Sequence, residues 1–278
     1  MNIKKLGRLV WPYLIWLFVL VLIPLLMMLV LSFFETRGLN FDNAVFTMNH
    51  WFQDLRDPSV LKALENSFTF AGTTVIIVFL IGYPMAYILA HSSFANKMII
   101  LMLTIIPMWS NSLLRNNALR NLLSDASLVN DLLSRIGLSF IWNVKGTETG
   151  IIVALVLTYL PFMILPIYTV LEKMDKNLIE ASMDLGASPV RTFFKVTFPL
   201  SIKGVVTGVI MVFLPSFSGF AVPYILGDGK FVLVGTIIEK SYNYNINFVS
   251  TLSILLVVVI FFMIFFVSKV DKEGESFL

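Results

Sequence analysis

Long apolar runs alternate with shorter polar stretches along the whole chain. A helix needs about 20 apolar residues to cross a hydrocarbon core of about 30 Å. On that measure the pattern predicts about six transmembrane helices, at 10–34, 67–90, 98–114, 150–171, 202–226 and 248–268. The third is the shortest and reaches its length by tilting or by continuing past Arg115. Between the third and fourth runs, Leu119, Leu122, Leu123, Ala126, Val129, Leu132, Leu133 and Ile136 recur at helical spacing. Arg120, Asp125, Asn130 and Asp131 fall between them, which predicts one or two amphipathic helices ended by Gly137. Such a segment lies at the outer membrane face or packs on its own bundle. Proline stands in or beside the runs at Pro12, Pro24, Pro84, Pro107, Pro161, Pro166, Pro215 and Pro223, so kinked spans are expected.

Composition agrees. Of 278 residues, 58% are hydrophobic and 13% charged, against about 25% charged in a typical soluble domain. Mean hydropathy is +0.87. The net charge of +3 does not mark a nucleic-acid binder, because no basic stripe with interleaved aromatics is present. The first apolar run follows Lys4, Lys5 and Arg8, is longer than a signal-peptide core and carries no small-residue cleavage site. It reads as a retained first helix. The absence of cysteine rules out disulfides, thiolate metal sites and thiol nucleophiles.

Lysine and arginine set the expected orientation. With the N-terminus inside, the inner segments hold Lys4, Lys5, Arg8, Lys97, Lys173, Lys176, Arg191, Lys195, Lys203, Lys269 and Lys272. The longer outer segments 35–66, 115–149 and 227–247 hold Arg37, Arg56, Lys62, Arg115, Arg120, Arg135, Lys145, Lys230 and Lys240. The density is higher inside, which predicts a multi-pass protein of the cell membrane with both termini cytoplasmic.

Several chemistries lack their residues. No span holds an ionisable side chain near its centre; Glu148, Arg115 and His91 stand at edges. That disfavours a proton relay and, less strongly, a sodium-coupled carrier or a channel acting alone. Gly227-Asp228-Gly229-Lys230 lacks the spacing and the Ser or Thr of a phosphate-binding loop. There is no H-E-x-x-H and no nucleophile elbow, and the two histidines are His50 and His91. The chain is expected to be no enzyme and to hold no cofactor or metal.

The polar stretch 172–200 is the most informative. Met174, Leu178, Ala181 and Leu185 form a narrow apolar stripe on a short helix. Glu172 with Lys176, and Lys176 with Glu180, have ion-pair spacing, whereas Glu180 and Asp184 repel at i,i+4. Gly186 is placed to end the helix in the left-handed conformation, and Pro189 to keep it from resuming soon. On these grounds alone the helix is either a solvated loop or a docking element for a basic partner surface.

Glu180-Ala181-Ser182, then Gly186, then Phe198-Pro199-Leu200, resembles the EAA motif of ABC importer permeases, with Ser182 where the third position is usually alanine. Pro107-Met108-Trp109-Ser110-Asn111-Ser112-Leu113-Leu114-Arg115 and Leu160-Pro161-Phe162-Met163-Ile164-Leu165-Pro166-Ile167-Tyr168 are similar to spermidine/putrescine permeases, more to the first of their two subunits. The resemblance implies an all-α fold of the type I importer permease kind, forming one permease domain over 1–278. It also implies a coupling helix in which Glu180, Ala181, Ser182, Asp184, Leu185 and Gly186 meet a cytoplasmic ATPase. The implied partners are a second, homologous permease, two copies of the ATPase, an external or periplasmic substrate-binding protein and the lipid bilayer. ATP and magnesium would be used by the ATPase. For a polycationic substrate, Trp109, Tyr83, Tyr87, Tyr159 and Tyr224 are candidate cation–π faces, with Asn111 as a hydrogen-bonding partner. For each aromatic the stronger reading is an interfacial anchor or packing residue. Asp228 and Glu239 either guide cations and contact the binding protein or are solvated loop charges. The coupling motif is indifferent to substrate, so a permease for another small solute is the alternative.

Overall fold

The computed structural model describes residues 11–92, 96–125, 127–136 and 143–275. The expected roles of Lys4, Lys5, Arg8, Ala126 and Gly137 lie outside the described residues, as do the side chains of Arg37, Val129, Lys269 and Lys272. The chain runs through α1 (Trp11–Leu31), β1 (Phe34–Arg37), β2 (Asn40–Phe46), α2 (Asn49–Phe52) and α3 (Pro58–His91). Then come α4 (Lys97–Trp109), α5 (Ser112–Leu122), α6 (Leu128–Arg135), α7 (Glu148–Glu172) and α8 (Lys176–Asp184). Last are α9 (Pro189–Ser218), α10 (Ala221–Leu226), α11 (Val234–Ser241) and α12 (Ile246–Glu275). Among the described residues, α1, α3, α7, α9 and the Ile246–Phe265 part of α12 are each long and apolar enough to cross a membrane. The α4–α5 pair makes a sixth if counted as one bent span.

The expected spans are corrected at two breaks. The third ends at Trp109 rather than Leu114, and α5 leaves it at 101°. Pro107 sits in the last turn of α4, and Asn111 restarts the chain by capping α5: its Oδ1 accepts from the N–H of Leu113 at 2.9 Å and of Leu114 at 3.3 Å. The fifth begins earlier, at Pro189, and stops at Ser218, where extended Gly219 separates it from α10. The outer segment holds two helices, α5 and α6, the second capped by Ser127 Oγ.

Contacts divide the chain into two compact units, one within Met1–Leu61 and Ile237–Val259, the other within Lys62–Thr236 and Ile260–Leu278. In the first, β1 and β2 form an antiparallel hairpin pairing Phe34 with Phe46 and Glu35 with Val45. This hairpin was not legible in the sequence. Gly38 turns it at φ 66°. Phe33 stacks on Trp51, with ring centroids 5.6 Å apart. Buried Asn247, in the first turn of α12, donates through Nδ2 to the carbonyls of Leu31 at 3.1 Å and Phe34 at 2.6 Å. That amide satisfies the Leu31 carbonyl left open where α1 ends and ties it to the first residue of β1. Almost all of α1 is uncovered by this chain. A helix that is apolar all round and uncovered takes lipid or another subunit as its solvent.

The second unit is built on α7 against α9, which approach through glycine. A Cβ on Gly204 would stand 2.9 Å from Ile167 Cα and from the Pro166 carbonyl oxygen, and one on Gly208 would stand 2.6 Å from Met163 Sδ. Small residues at such crossings are how membrane helices gain close packing, since apolar burial gives no advantage over lipid. Val78, Tyr83, Ala86, Met163, Ile164, Ile167 and Val212 fill one core cluster; Phe70, Ile151, Leu155, Leu226 and Leu233 fill the other. Hydrogen bonds and ion pairs sort the connecting segments to opposite ends of this unit. Lys97 meets Glu172 at 3.6 Å at one end, while Arg120 meets Asp228 at 2.8 Å and Asn66 meets the Val232 carbonyl at 3.0 Å at the other.

Candidate functional site: a capped helix between two spans

The polar stretch after α7 is folded by its own capping residues. Asp175 opens α8 by accepting from the N–H of Asn177 at 3.0 Å. Gly186 closes it at φ +84°. Its N–H donates to Met183 O at 2.9 Å and the N–H of Ala187 to Ser182 O at 3.1 Å, the paired bonds of a Schellman turn. Ser188 then caps α9, its Oγ accepting from the N–H of Arg191 at 3.3 Å. Pro189 does not delay the next helix, as its sequence position suggested, but begins it. At the first helical position its missing N–H would have been unbonded anyway and its fixed φ suits the turn. Four residues later the helix widens into a π turn over Phe193–Thr197.

α8 buries none of its own residues. Of the expected stripe, Met174 packs against the bundle, Leu178 and Ala181 are exposed, and Leu185 is 90% exposed. Met183, Val190 and Phe194 add further exposed apolar surface. Glu180 and Asp184 face solvent. Among the described residues, Lys176 pairs with neither Glu172 nor Glu180; Glu172 reaches Lys97 instead. One side chain ties α8 to the spanning helix that follows. Ser182 Oγ lies 3.0 Å from Thr192 Oγ1, and Thr192 is buried. The serine that departs from the family's usual alanine therefore makes the joint between α8 and α9.

The structure scatters the six aromatic and amide candidates. Tyr83 is buried, bonded to Ser201 Oγ at 2.8 Å and ringed by Phe79, Phe193 and Phe198. Tyr87 stacks on His91 at 4.2 Å. Both are packing residues here. Asn111 spends its carbonyl oxygen on the α5 cap. Trp109 is 87% exposed at the bend, and Tyr224 is half-exposed on α10. Tyr159 lines a cavity of about 230 Å³ with Arg115, Asn116 and Thr158. Sequence reasoning placed Arg115 at a span edge and passed over Asn116 and Thr158; the available signal was a polar side chain next to Arg115 and another within the apolar run of α7. Asp228 does not stand free: Arg120 at 2.8 Å and Lys145 at 3.8 Å both pair with it.

Several apolar spans, with a capped, exposed helix between two of them, define a multi-pass membrane protein. Residues 67–272 match the family described as "Binding-protein-dependent transport system inner membrane component", and the chain belongs to that family. The spermidine/putrescine transport system permease protein PotB of Haemophilus influenzae is 36% identical to it over 260 residues, covering 92% of this chain and 91% of that one. PotB of Escherichia coli is 34% identical over 228 residues, covering 82% of each. A chain of a bacterial ABC transporter that imports the acidic polysaccharide alginate shares the fold, with a TM-score of 0.75 and 15% identity, over 97% of this chain and 96% of that one.

Proposed function

We propose that this chain is one of the two permease subunits of an ATP-driven importer of polyamines, spermidine or putrescine. The observation that carries the reading is α8. It is a short helix capped at both ends, exposing an apolar and acidic surface that no other described residue covers, and bonded through Ser182 to a membrane-spanning helix. A surface of that kind is made stable by a docking partner. The partner of this reading is a cytoplasmic ATPase, present in two copies, that binds ATP and magnesium. Glu180, Ala181, Ser182, Asp184, Leu185 and Gly186 carry the contact. The polyamine assignment is supported by the names of the PotB relatives.

In this mechanism both termini and α8 are cytoplasmic, and α5, α6, α10 and α11 face outward, where a substrate-binding protein delivers its cargo. ATP binding changes the surface offered to α8. A helix can drive a transition only if its contacts differ between the two states. The Schellman turn and the Ser182–Thr192 bond make α8 and the start of α9 move together, so displacement at the ATPase reaches the span. The second permease completes the path. Of the path candidates, Trp109 and Tyr224 are the most exposed on this chain and would offer cation–π faces of roughly 0.5–2 kcal/mol to an ammonium group.

Uptake of labelled spermidine in cells lacking their own polyamine importer, with this chain and its partner subunits supplied together, tests this reading. Uptake that falls on ATP depletion and is competed by putrescine is expected. Uptake that survives ATP depletion but collapses with the ion gradient would point to an autonomous carrier, and no competition by polyamines would point to another solute.

A further inference from the structure

The cavity under the α4–α5 bend contains polar atoms without partners. Asn116 is 1% exposed and its Oδ1 has no hydrogen bond; Thr158 is 9% exposed and its Oγ1 has none. Arg115 also lines the cavity. One of its guanidinium nitrogens, Nη1, donates to the Pro107 carbonyl at 2.7 Å, which fixes the side chain at the bend. Its Nε is buried with no acceptor. Among the described residues Arg115 forms no ion pair, and no Asp or Glu lines the cavity.

Arg115 is half-buried, but its Nε is withdrawn from solvent with no acceptor, and a donor buried that way costs free energy until one arrives. Its fork of N–H groups matches the two oxygens of a carboxylate. Thr158 adds an unpartnered hydroxyl to the lining, and exchange of the Asn116 amide ends would present its NH₂ in place of the unpartnered oxygen; the Tyr159 hydroxyl already donates to the Pro215 carbonyl at 3.4 Å. The set offers one positive charge and neutral donors, which suits a single carboxylate. It does not suit an ammonium group, so the cavity is not a polyamine seat. Its volume of about 230 Å³ exceeds that of a few waters at roughly 30 Å³ each, enough for an acidic side-chain head. The mouth is bordered by Phe220, half-exposed, and the bend beside it leaves Trp109 and Leu114 uncovered. Uncovered apolar residues on a spanning chain meet lipid or another subunit, and of the two only a subunit can also satisfy polar atoms left open beside them.

We propose that this cavity is the seat of a carboxylate that the chain does not supply itself, an Asp or Glu side chain of a neighbouring subunit in the assembled importer. The proposal rests on the importer reading above for its source of the acid. The missing charge then arrives with assembly, and Arg115 becomes both an assembly contact and a pin that holds the α4–α5 bend.

Carbodiimide coupling in the purified, assembled importer tests it. In Arg115→Lys the introduced amine attacks a carbodiimide-activated carboxylate, forming an amide while the carbodiimide leaves as its urea. Lys97 and Glu172, 3.6 Å apart, are an internal control for reactivity in the same sample. The expected product is a peptide containing position 115 joined to an acidic peptide of another subunit, absent from Arg115→Met. Uptake should fall at least tenfold in Arg115→Met and less in Arg115→Lys. A second arm titrates succinate into the chain alone in nanodiscs and reads the unfolding temperature. A saturable rise lost in Arg115→Met would assign the site to a soluble carboxylate and overturn the subunit source. Coupling at the control pair with none at position 115, and no effect of succinate, would overturn the site itself. A preparation that brings no other subunit would count against the importer reading, and the succinate arm would still decide the carboxylate chemistry.

Discussion

Replacing Gly186 by alanine adds one methyl group at a point where nothing lies within 4 Å, so any effect comes from backbone conformation rather than from a clash. At φ +84° a residue with a Cβ is strained, by about 1–2 kcal/mol for the left-handed conformation. That lowers the ratio of capped to uncapped loop by about 5- to 30-fold. The cap aims Leu185 and holds the Ser182–Thr192 joint, so uncapping should loosen α8 from α9 without disturbing the spans. Asparagine, which tolerates the left-handed region, should restore most of the loss. Proline should be worst, because it fixes φ near −65° and removes the N–H that donates to Met183 at 2.9 Å. Spermidine uptake per molecule of membrane-inserted protein is the assay, with the expected order glycine, asparagine, alanine, proline. Equal uptake by glycine and alanine variants would refute the conformational argument, and equal loss in the alanine and asparagine variants would show that the surface, not the backbone, matters there.

Three further outcomes follow from the same geometry. Glu180→Lys reverses an exposed charge that pairs with no cation among the described residues, so it should change the unfolding free energy by no more than about 0.5 kcal/mol, yet abolish uptake; normal uptake would remove Glu180 from the docking surface. Ser182→Ala should destabilise by about 1 kcal/mol by stranding Thr192 Oγ1, and Ser182→Ala with Thr192→Val should cost less than the two singly, measured by thermal unfolding in detergent; additive effects would mean that the joint is not energetic. Gly204→Val forces side-chain atoms where the Cβ alone meets Ile167 Cα at 2.9 Å. It should cost roughly 1–3 kcal/mol of packing and reduce the amount of protein recovered from membranes, whereas wild-type recovery would deny the close approach of α7 and α9.

The apolar runs were legible because a membrane helix has to satisfy its backbone internally and cover itself with apolar side chains. The end of α8 at Gly186 was legible for a similarly local reason, a glycine placed for a left-handed turn. What escaped were features set by tertiary context. Pro189 reads as a breaker until the structure shows it at the first position of α9. The hairpin Phe34–Phe46 has too little alternation to announce itself, and it depends on Phe33 stacking on Trp51 and on Asn247, far along the chain. Tyr83 and Asn111 carry the right groups for a cation path, but one is consumed by Ser201 and the other by a helix cap. Conversely, Asn116 and Thr158 look like ordinary polar substitutions in sequence, and only their burial without partners singles them out.

The central claim is that α8 exists to dock a partner that supplies the energy. Affinity purification of the chain from its native membrane in mild detergent, with mass spectrometry of what accompanies it, tests that most directly. The account predicts an ATPase in two copies and a second permease in fixed proportion, both lost together in Glu180→Lys or the ATPase lost alone. Recovery of the chain by itself, stable and able to move solute after reconstitution, would contradict it.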